Sequence, residues 1–327
     1  RGGNRPLISL RDVVKARERI KDSIHRTPLL SSKTMSGIAG NEVYLKGEHL
    51  QKTGSFKIRG AANKLKSIAG QAEHVVAASS GNHGQAVSYM AAQFGLKATI
   101  VVPEDAPRCK VEAIKGYGAR VLYGGVTSNS RLAKAEELAE EDGVMLIPPY
   151  DDPLIMAGQG TTGLEILEQL REVDIVYVPI GGGGLISGIS TAIKETNPTV
   201  RVIGVEPEAA NDTFLSWRNG EIVSIENPDT VADGLRALQP GDLTFPVVQK
   251  NVDDLVLVGE DEIKETFAFL LERMKQVVEP SGAVAVAAAM ANKARVHGKK
   301  VVAVVSGGNV ALDRIQSLMP EGEIEDA

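Results

Sequence analysis

One unit recurs along the chain: a short, continuously apolar run ends in small or turn-forming residues and passes directly into a helix-period segment. His74 to Ala78 ends in Ser79-Ser80-Gly81-Asn82-His83-Gly84 and feeds QAVSYMAAQFG; ATIVVPEDA leads into APRCKVEAIKGYG; ARVLYGG leads into SRLAKAEELAEEDG; VMLIPPYDD closes the block. A second series has the helix GTTGLEILEQL, the strand DIVYVPI, a glycine loop, the helix ISGISTAIKET, the strands VRVIGVEP and DDLVLVGEDEI, the helices IKETFAFLLERMK and GAVAVAAAMANKA, and the strand KKVVAVVSGG. Strands that are apolar throughout are buried on both faces, and parallel neighbours need crossovers of helical length. The expected fold class is therefore α/β, with two doubly wound parallel sheets. Ahead of both series, SLRDVVKARERIKDSI reads as a capped helix that His25-Arg26-Thr27-Pro28-Leu29 breaks, and EVYLKGEHL reads as a short strand.

The bulk numbers exclude several classes of function. The 327 residues suffice for two domains, and a net charge of −6 leaves no basic footprint for nucleic acid or an anionic membrane surface. A single cysteine, Cys109, excludes an internal disulfide and any zinc site built on several cysteines, which fits a reducing, cytoplasmic setting. No apolar run reaches membrane length, no signal peptide precedes Leu10, and the opening RGGNRP, without an initiator methionine, is left out of the fold argument.

Four stretches carry chemistry. In GEHLQKTGSFKIRG, the turn Thr53-Gly54-Ser55 places Lys57 at a helix start. Burial and the positive end of a helix both disfavour an ammonium there, so Lys57 reads either as a neutral amine ready for Schiff-base chemistry or as a solvated lysine on a first turn. Gly181, Gly182, Gly183 and Gly184 lie between an apolar strand and a helix, where bare amides and the helix dipole make an anion site. A dinucleotide loop is the competing reading, since Glu206 ends the next strand where a ribose-binding acid belongs. The G-x-G-x-x-G pattern nevertheless fails in both registers, with Ile186 or Ser187 at its last place. Ser306-Gly307-Gly308-Asn309 follows the last strand, and Glu206 and Asp212 bracket Ala210 in an acidic loop whose oxygens suit a hard cation.

SFKIRGA, SSGNHGQA, PIGGGGLISG and VVSGGN, in this order from about Leu10 to Ile315, resemble the fold type II pyridoxal-phosphate enzymes, in particular the serine/threonine dehydratase and serine racemase family. The resemblance implies a tryptophan synthase β-like fold. A large cofactor-binding domain of residues 1–73 plus 152–327 would carry an inserted small domain of residues 74–151, with the active site between them and no carboxyl-terminal regulatory domain. It implies pyridoxal 5'-phosphate bound to Lys57, with its phosphate in the Gly181 to Gly184 loop, its pyridine nitrogen at Ser306, its phenolic oxygen at Asn82 and its ring against Phe56. Ser79, Ser80, Gly81, Asn82 and His83 would meet the substrate carboxylate, and Arg131 matches an arginine that the racemase branch uses near it. Glu206, Ala210 and Asp212 resemble that branch's site for Mg²⁺, with Ca²⁺ or Mn²⁺ as alternatives.

The implied activity is dehydration of L-threonine or L-serine to 2-oxobutyrate or pyruvate plus ammonia. Serine racemisation and 3-hydroxyaspartate dehydration stand as alternatives, and the family default is a homodimer acting on a small amino acid. Ser80 is the sharper position: it would serve the racemase branch as acid or base on the face of the α carbon opposite Lys57, or it would merely cap the helix after Asn82. Tyr150 departs from the racemase pattern, where mammalian members have asparagine. A binding protein that keeps the fold without the chemistry, and the β-replacement enzymes that share the fold, complete the alternatives.

Overall fold

The computed structural model describes residues 6–125 and 128–321, which form two sheets; the acidic tail from residue 322 on lies outside them. Helix α1 (Leu10–Ile20) opens with the expected cap, in which Ser9 Oγ accepts from the Asp12 amide while the Asp12 carboxylate accepts from the Ser9 amide. Strand β1 (Leu29–Ser31), helix α2 (Lys33–Ala39) and strand β2 (Glu42–Gly47) follow, and two short 3-10 turns lead to α3 (Lys57–Ser67).

The chain then leaves the first sheet and builds the second from β3 (His74–Ala78), β4 (Lys97–Val102), β5 (Arg120–Tyr123) and β6 (Val144–Leu146). Between them run α4 (Asn82–Gln93), α5 (Arg108–Gly116) and α6 (Ser128–Leu138). The order is β5-β4-β3-β6, and every pairing is parallel. Helix α7 (Pro153–Gln169), capped by Asp152, returns the chain to the first sheet, completed by β7 (Ile175–Pro179), α8 (Gly184–Thr196), β8 (Arg201–Pro207), α9 (Asp212–Asn219), α10 (Thr244–Asn251), β9 (Asp254–Val258), α11 (Glu260–Glu272), α12 (Pro280–Met290) and β10 (Lys300–Val305). Its order is β1-β2-β10-β7-β8-β9.

The expected parallel sheets are present, and the first gains one antiparallel strand at its edge. Strand β1 pairs antiparallel with β2 at the edge, because the short α2 connection is below the dozen or so residues a parallel crossover needs. The other pairings are parallel.

Side-chain alternation explains why the strands read as unbroken apolar runs. In β10, Val301, Ala303 and Val305 enter the core under α11 and α12, whereas Val302 and Val304 enter the core under α8. In β3, Val75 and Ala77 face a core shared with α3, α4 and α5, and Val76 faces Ala135 of α6. That first core reaches back to Ile58, Ala61, Ala62 and Leu65 and forward to Ile155, so α3 packs with the second sheet although it precedes β3. Among the described residues no helix is long and apolar enough to cross a membrane.

Candidate active site

Four strand ends converge, as expected where parallel strands deliver their carboxyl-terminal loops to one cleft. Lys57 follows β2, the Ser79 to His83 loop follows β3, the Gly181 to Gly184 loop follows β7, and Ser306 follows β10. All of them line a cavity of about 440 Å³ together with Phe56 and Tyr150. Two backbone contacts stitch the lysine segment to the last strand end: the Phe56 amide donates to the Ser306 carbonyl at 3.1 Å, and Ser55 bridges Gly307.

Lys57 is the first residue of α3, and Ser55 Oγ accepts from its amide at 3.4 Å. Its Nζ donates to the Pro149 carbonyl at 2.9 Å and stands 5.3 Å from the centre of the Phe56 ring. Burial pulls its pKa down to about 8. Lys57 is thus half-buried and partly desolvated rather than fully solvated.

The glycine loop is an anion cradle. Among the described hydrogen bonds, no amide from Gly181 to Ile186 donates to a protein acceptor outside the helix, while the carbonyl of Gly182 is held from behind by Thr244 Oγ1 at 2.7 Å. Gly183 sits at φ +98, a left-handed conformation that a side chain would strain. A Cβ on Gly182 would stand 2.3 Å from ring carbons of Tyr150, so the tyrosine roofs the loop. Burial, followed by the carboxylates of Asp151, Asp212 and Asp242, pushes the Tyr150 hydroxyl up to about 12, so it stays protonated.

In the loop after β3, the cap anticipated for Ser80 belongs to its neighbour. Ser79 Oγ accepts from the Gly81 and Gly84 amides, both at 2.8 Å, and α4 has no cap from Ser80. Ser79 thus stiffens the loop from a buried position, and Ser80 lines the cavity. Gly81 sits at φ +145 with the stem of Lys110 directly beneath it, which no other residue type would permit. His83 Nε2 lies 2.8 Å from the Ile147 carbonyl, a pure acceptor, so that nitrogen carries the proton. Burial, then the nearby Lys57, holds the His83 pKa down to about 3, so it offers no positive charge to a carboxylate. Arg131 also lines the cavity, on α6, with its pKa lowered by burial.

Sequence reasoning missed Glu279. Its Oε1 accepts from Asn82 Nδ2 at 2.5 Å, Asn82 Oδ1 accepts from Asn309 Nδ2 at 2.9 Å, and Lys110 Nζ lies 3.2 Å from Glu279 Oε2 and 3.1 Å from Asp233. These contacts fix which way the Asn82 amide points. The signal was the Glu279-Pro280 pair before an apolar run, an acidic cap followed by proline at the first helical position. Ser306 is buried, with Oγ 3.5 Å from the Ser281 carbonyl.

Glu206 and Asp212 do come together, away from the cavity. Glu206 accepts from the amides of Phe214 at 2.6 Å and Thr213 at 3.3 Å, while neither Asp212 carboxyl oxygen has a hydrogen-bond partner. Both side chains are buried, and burial raises both pKa values, that of Asp212 to about 7. Glu206, spent on the start of α9, is not placed as a ribose-binding acid. Among the described residues no group of three or more acidic, histidine or cysteine side chains forms a metal site, so a cation here would draw on the two carboxylates, a backbone carbonyl such as that of the buried Ala210, and water.

Comparison with known proteins agrees with this geometry. Residues 20–307 match the family model described as pyridoxal-phosphate dependent enzyme. The chain belongs to that family. An L-threonine ammonia-lyase of Thermotoga maritima is 46% identical over 321 residues, spanning 98% of this chain and 80% of that protein. An L-threo-3-hydroxyaspartate ammonia-lyase of Saccharomyces cerevisiae is 43% identical over 310 residues, 94% of this chain and 95% of its own. Among solved structures, maize serine racemase superposes with a TM-score of 0.91 at 39% identity, covering 95% of this chain and 97% of that one. The residues present fit the family's cofactor: a half-buried primary amine for its aldehyde, uncommitted amides without side chains for its phosphate, an aromatic plate beside the amine, and a serine hydroxyl at the end of β10.

Proposed function

We propose that the chain is an ammonia-lyase for L-threonine and L-serine, yielding 2-oxobutyrate or pyruvate and ammonia. The observation that carries this reading is Lys57, a half-buried amine with a pKa near 8 that shares one cavity with the glycine loop and Ser306. The 46% identity to a threonine ammonia-lyase over nearly the whole chain supports the substrate class.

Pyridoxal phosphate, when bound, supplies the aldehyde on which Lys57 and the substrate amine exchange, and the conjugated ring that receives the electron pair of the α C–H bond. Amides of the Gly181 to Gly184 loop would hold the phosphate, Ser306 Oγ would meet the ring nitrogen, Phe56 would pack on the ring, and Asn82 would offer its second amide proton to the phenolic oxygen. A serine at the nitrogen, unlike an aspartate, need not keep that nitrogen protonated, so charge from the α carbon leaves readily through the β bond. The amides and side chains of Ser79 to His83, with Arg131, receive the substrate carboxylate. Released Lys57, whose lowered pKa favours the free base, takes the α proton and returns it to the β hydroxyl, which leaves as water. The resulting enamine tautomerises and hydrolyses to the 2-oxo acid and ammonia. The experiment is to incubate the purified holoprotein with L-threonine, L-serine and L-threo-3-hydroxyaspartate and quantify each 2-oxo acid. Turnover of 3-hydroxyaspartate alone would replace the assigned substrates, and no 2-oxo acid from any of the three would overturn the reading.

Racemisation is a second activity that one observation favours: Ser80 lines the cavity without serving as a cap. We expect Ser80→Ala to abolish D-serine formation while leaving most of the 2-oxo acid release. Parallel loss of both products in a chiral assay would show that Ser80 acts on a shared step.

For the acidic pair, we propose a Mg²⁺ or Ca²⁺ ion on Glu206, Asp212 and the Ala210 carbonyl, supported by two buried, mutually facing carboxylates of which one lacks any partner. Chelation should lower the thermal midpoint by a few degrees, and either ion should restore it. Asp212→Asn should remove the response to both, and a midpoint indifferent to chelator would exclude the ion. We also propose residues 74–151 as a small domain inserted in a large one of residues 1–73 plus 152–327, a homodimeric assembly and a cytoplasmic setting. The separate four-stranded sheet supports the first, and the lone Cys109 the last.

A further inference from the structure

Behind the reactive lysine lies a buried charge cluster that the chemistry does not use. The Arg59 side chain is 0% exposed and every guanidinium N–H has an acceptor. Nε and Nη2 reach Glu48 at 2.5 and 2.9 Å, Nη1 and Nη2 reach Glu165 at 2.5 and 3.0 Å, and Nη1 also donates to Thr161 Oγ1 at 3.1 Å. Lys46 completes the balance, donating to Glu165, Gln169 and the Thr27 carbonyl. Glu48 stands in the turn after β2 and Glu165 on α7, so one planar side chain ties the first turn of α3 to two separate elements. The next residue is clamped as well: the Gly60 amide donates to Gln159 Oε1 at 3.0 Å, and a Cβ on Gly158 would stand 2.5 Å from the Arg59 carbonyl.

We infer that Arg59 is a positioning residue for Lys57, whose task is to hold the first turn of α3 still while the lysine side chain is detached. The inference rests on the reading of Lys57 as the cofactor lysine. In the resting holoprotein the covalent link itself restrains the turn. Once the substrate amine has displaced Lys57, that restraint is gone, and the backbone is held by Arg59 and the Gly60 clamp while Nζ swings to the α carbon. The cluster acts through geometry rather than field: its charges balance, and burial alone accounts for the lowered pKa of Lys57. A buried ion cluster is a poor source of net stability, and a role in fixing one conformation accounts for this one better.

The experiment compares wild type with Arg59→Lys, which keeps the charge and loses the planar fork, and with Thr161→Val, which removes the bond from Arg59 Nη1 together with the one to the Gly158 carbonyl and leaves both carboxylates paired. First, the pyridoxyl group trapped with borohydride is mapped in wild type; an adduct away from Lys57 overturns the cofactor reading and this inference together. With the adduct on Lys57, two quantities are measured per bound cofactor. One is α-proton exchange of L-alanine, which has no β leaving group. The other is amide hydrogen exchange over residues 56–61, in holoprotein and after cofactor removal.

Arg59→Lys is expected to slow α exchange by on the order of a hundredfold, as an ångström-scale misplacement does, with the KM for alanine little changed. It should also raise amide exchange of residues 56–61 only when the cofactor is removed. Thr161→Val should show the same pattern severalfold weaker, and carries the test if Arg59→Lys does not fold. Full rescue by lysine, α exchange that falls only with cofactor content, or amide exchange raised equally in both states would each overturn the inference.

Discussion

Lys57→Ala is expected to eliminate the visible absorbance of the bound cofactor, abolish borohydride trapping, and lower 2-oxo acid release by about three orders of magnitude or more, since a covalent nucleophile and a general base are lost together. The residue's pH behaviour gives an independent readout. With its pKa at about 8 instead of the 10.5 of an ordinary lysine, roughly half of the Lys57 amines are neutral at pH 8, against fewer than about one in a hundred otherwise. Cofactor-free protein should therefore combine with pyridoxal phosphate at a rate that rises through pH 8 and then levels off. A rate still climbing steeply toward pH 10 would mean that the amine is not desolvated. Stability follows the same proton: unfolded, this lysine stays charged up to about 10.5, whereas folded it releases its proton near 8. Between these values the unfolded state binds more protons, so the cost of burying this charge, fully present below pH 8, is relieved as pH rises. Cofactor-free Lys57→Ala should accordingly melt no lower than cofactor-free wild type at pH 7.

Gly182→Ala is expected to weaken cofactor binding on the order of ten- to a hundredfold, because the added methyl would stand 2.3 Å from ring carbons of Tyr150. Overpacking of this kind costs about 1–3 kcal/mol, and here it either drives the tyrosine into the cavity or turns the loop amides away from the phosphate. A titration of cofactor-free protein with pyridoxal phosphate, read by absorbance, measures the loss. Tyr150→Ala in the same chain removes the clash, so the double variant should regain most of the affinity that Gly182→Ala loses; simple additivity of the two losses would place the defect in the loop backbone instead.

Much of this protein is legible in its residues. Strands buried on both faces spell themselves as apolar runs, Val-Val-Ala-Val-Val in β10, so β3, β7, β8 and β10 stand out as parallel core strands, and the small-residue loops that follow β3, β7 and β10 mark one edge as the site. The glycine loop and Lys57 could be marked from local surroundings, bare amides and a helix start, but for Lys57 those surroundings allowed a solvated lysine equally, and the four-motif resemblance singled it out as the candidate cofactor lysine. Other features are invisible to a local reading because they depend on what another part of the chain brings. The sequence cannot tell that Ser79 rather than Ser80 closes the loop after β3, since either hydroxyl could reach the α4 amides until the backbone of that loop is built. It does not join Lys110 and Glu279, which are brought together by the meeting of α5 with the start of α12, nor Arg59 to Glu48 and Glu165 across α7. The antiparallel edge strand β1 escaped because three residues carry too little periodicity to be read.

By itself, then, the sequence determined the α/β class and marked the small-residue loops at the strand ends, because burial pattern and turn chemistry are short-range properties of the chain; Lys57 stood between two readings until the resemblance of the four motifs singled it out. Tertiary structure alone decided the depressed pKa of Lys57, the direction of the Asn82 amide, the unpartnered Asp212 and the clamp on the first turn of α3. Desolvation and charge pairing depend on distances between residues far apart in the chain, and only the packed fold fixes those distances.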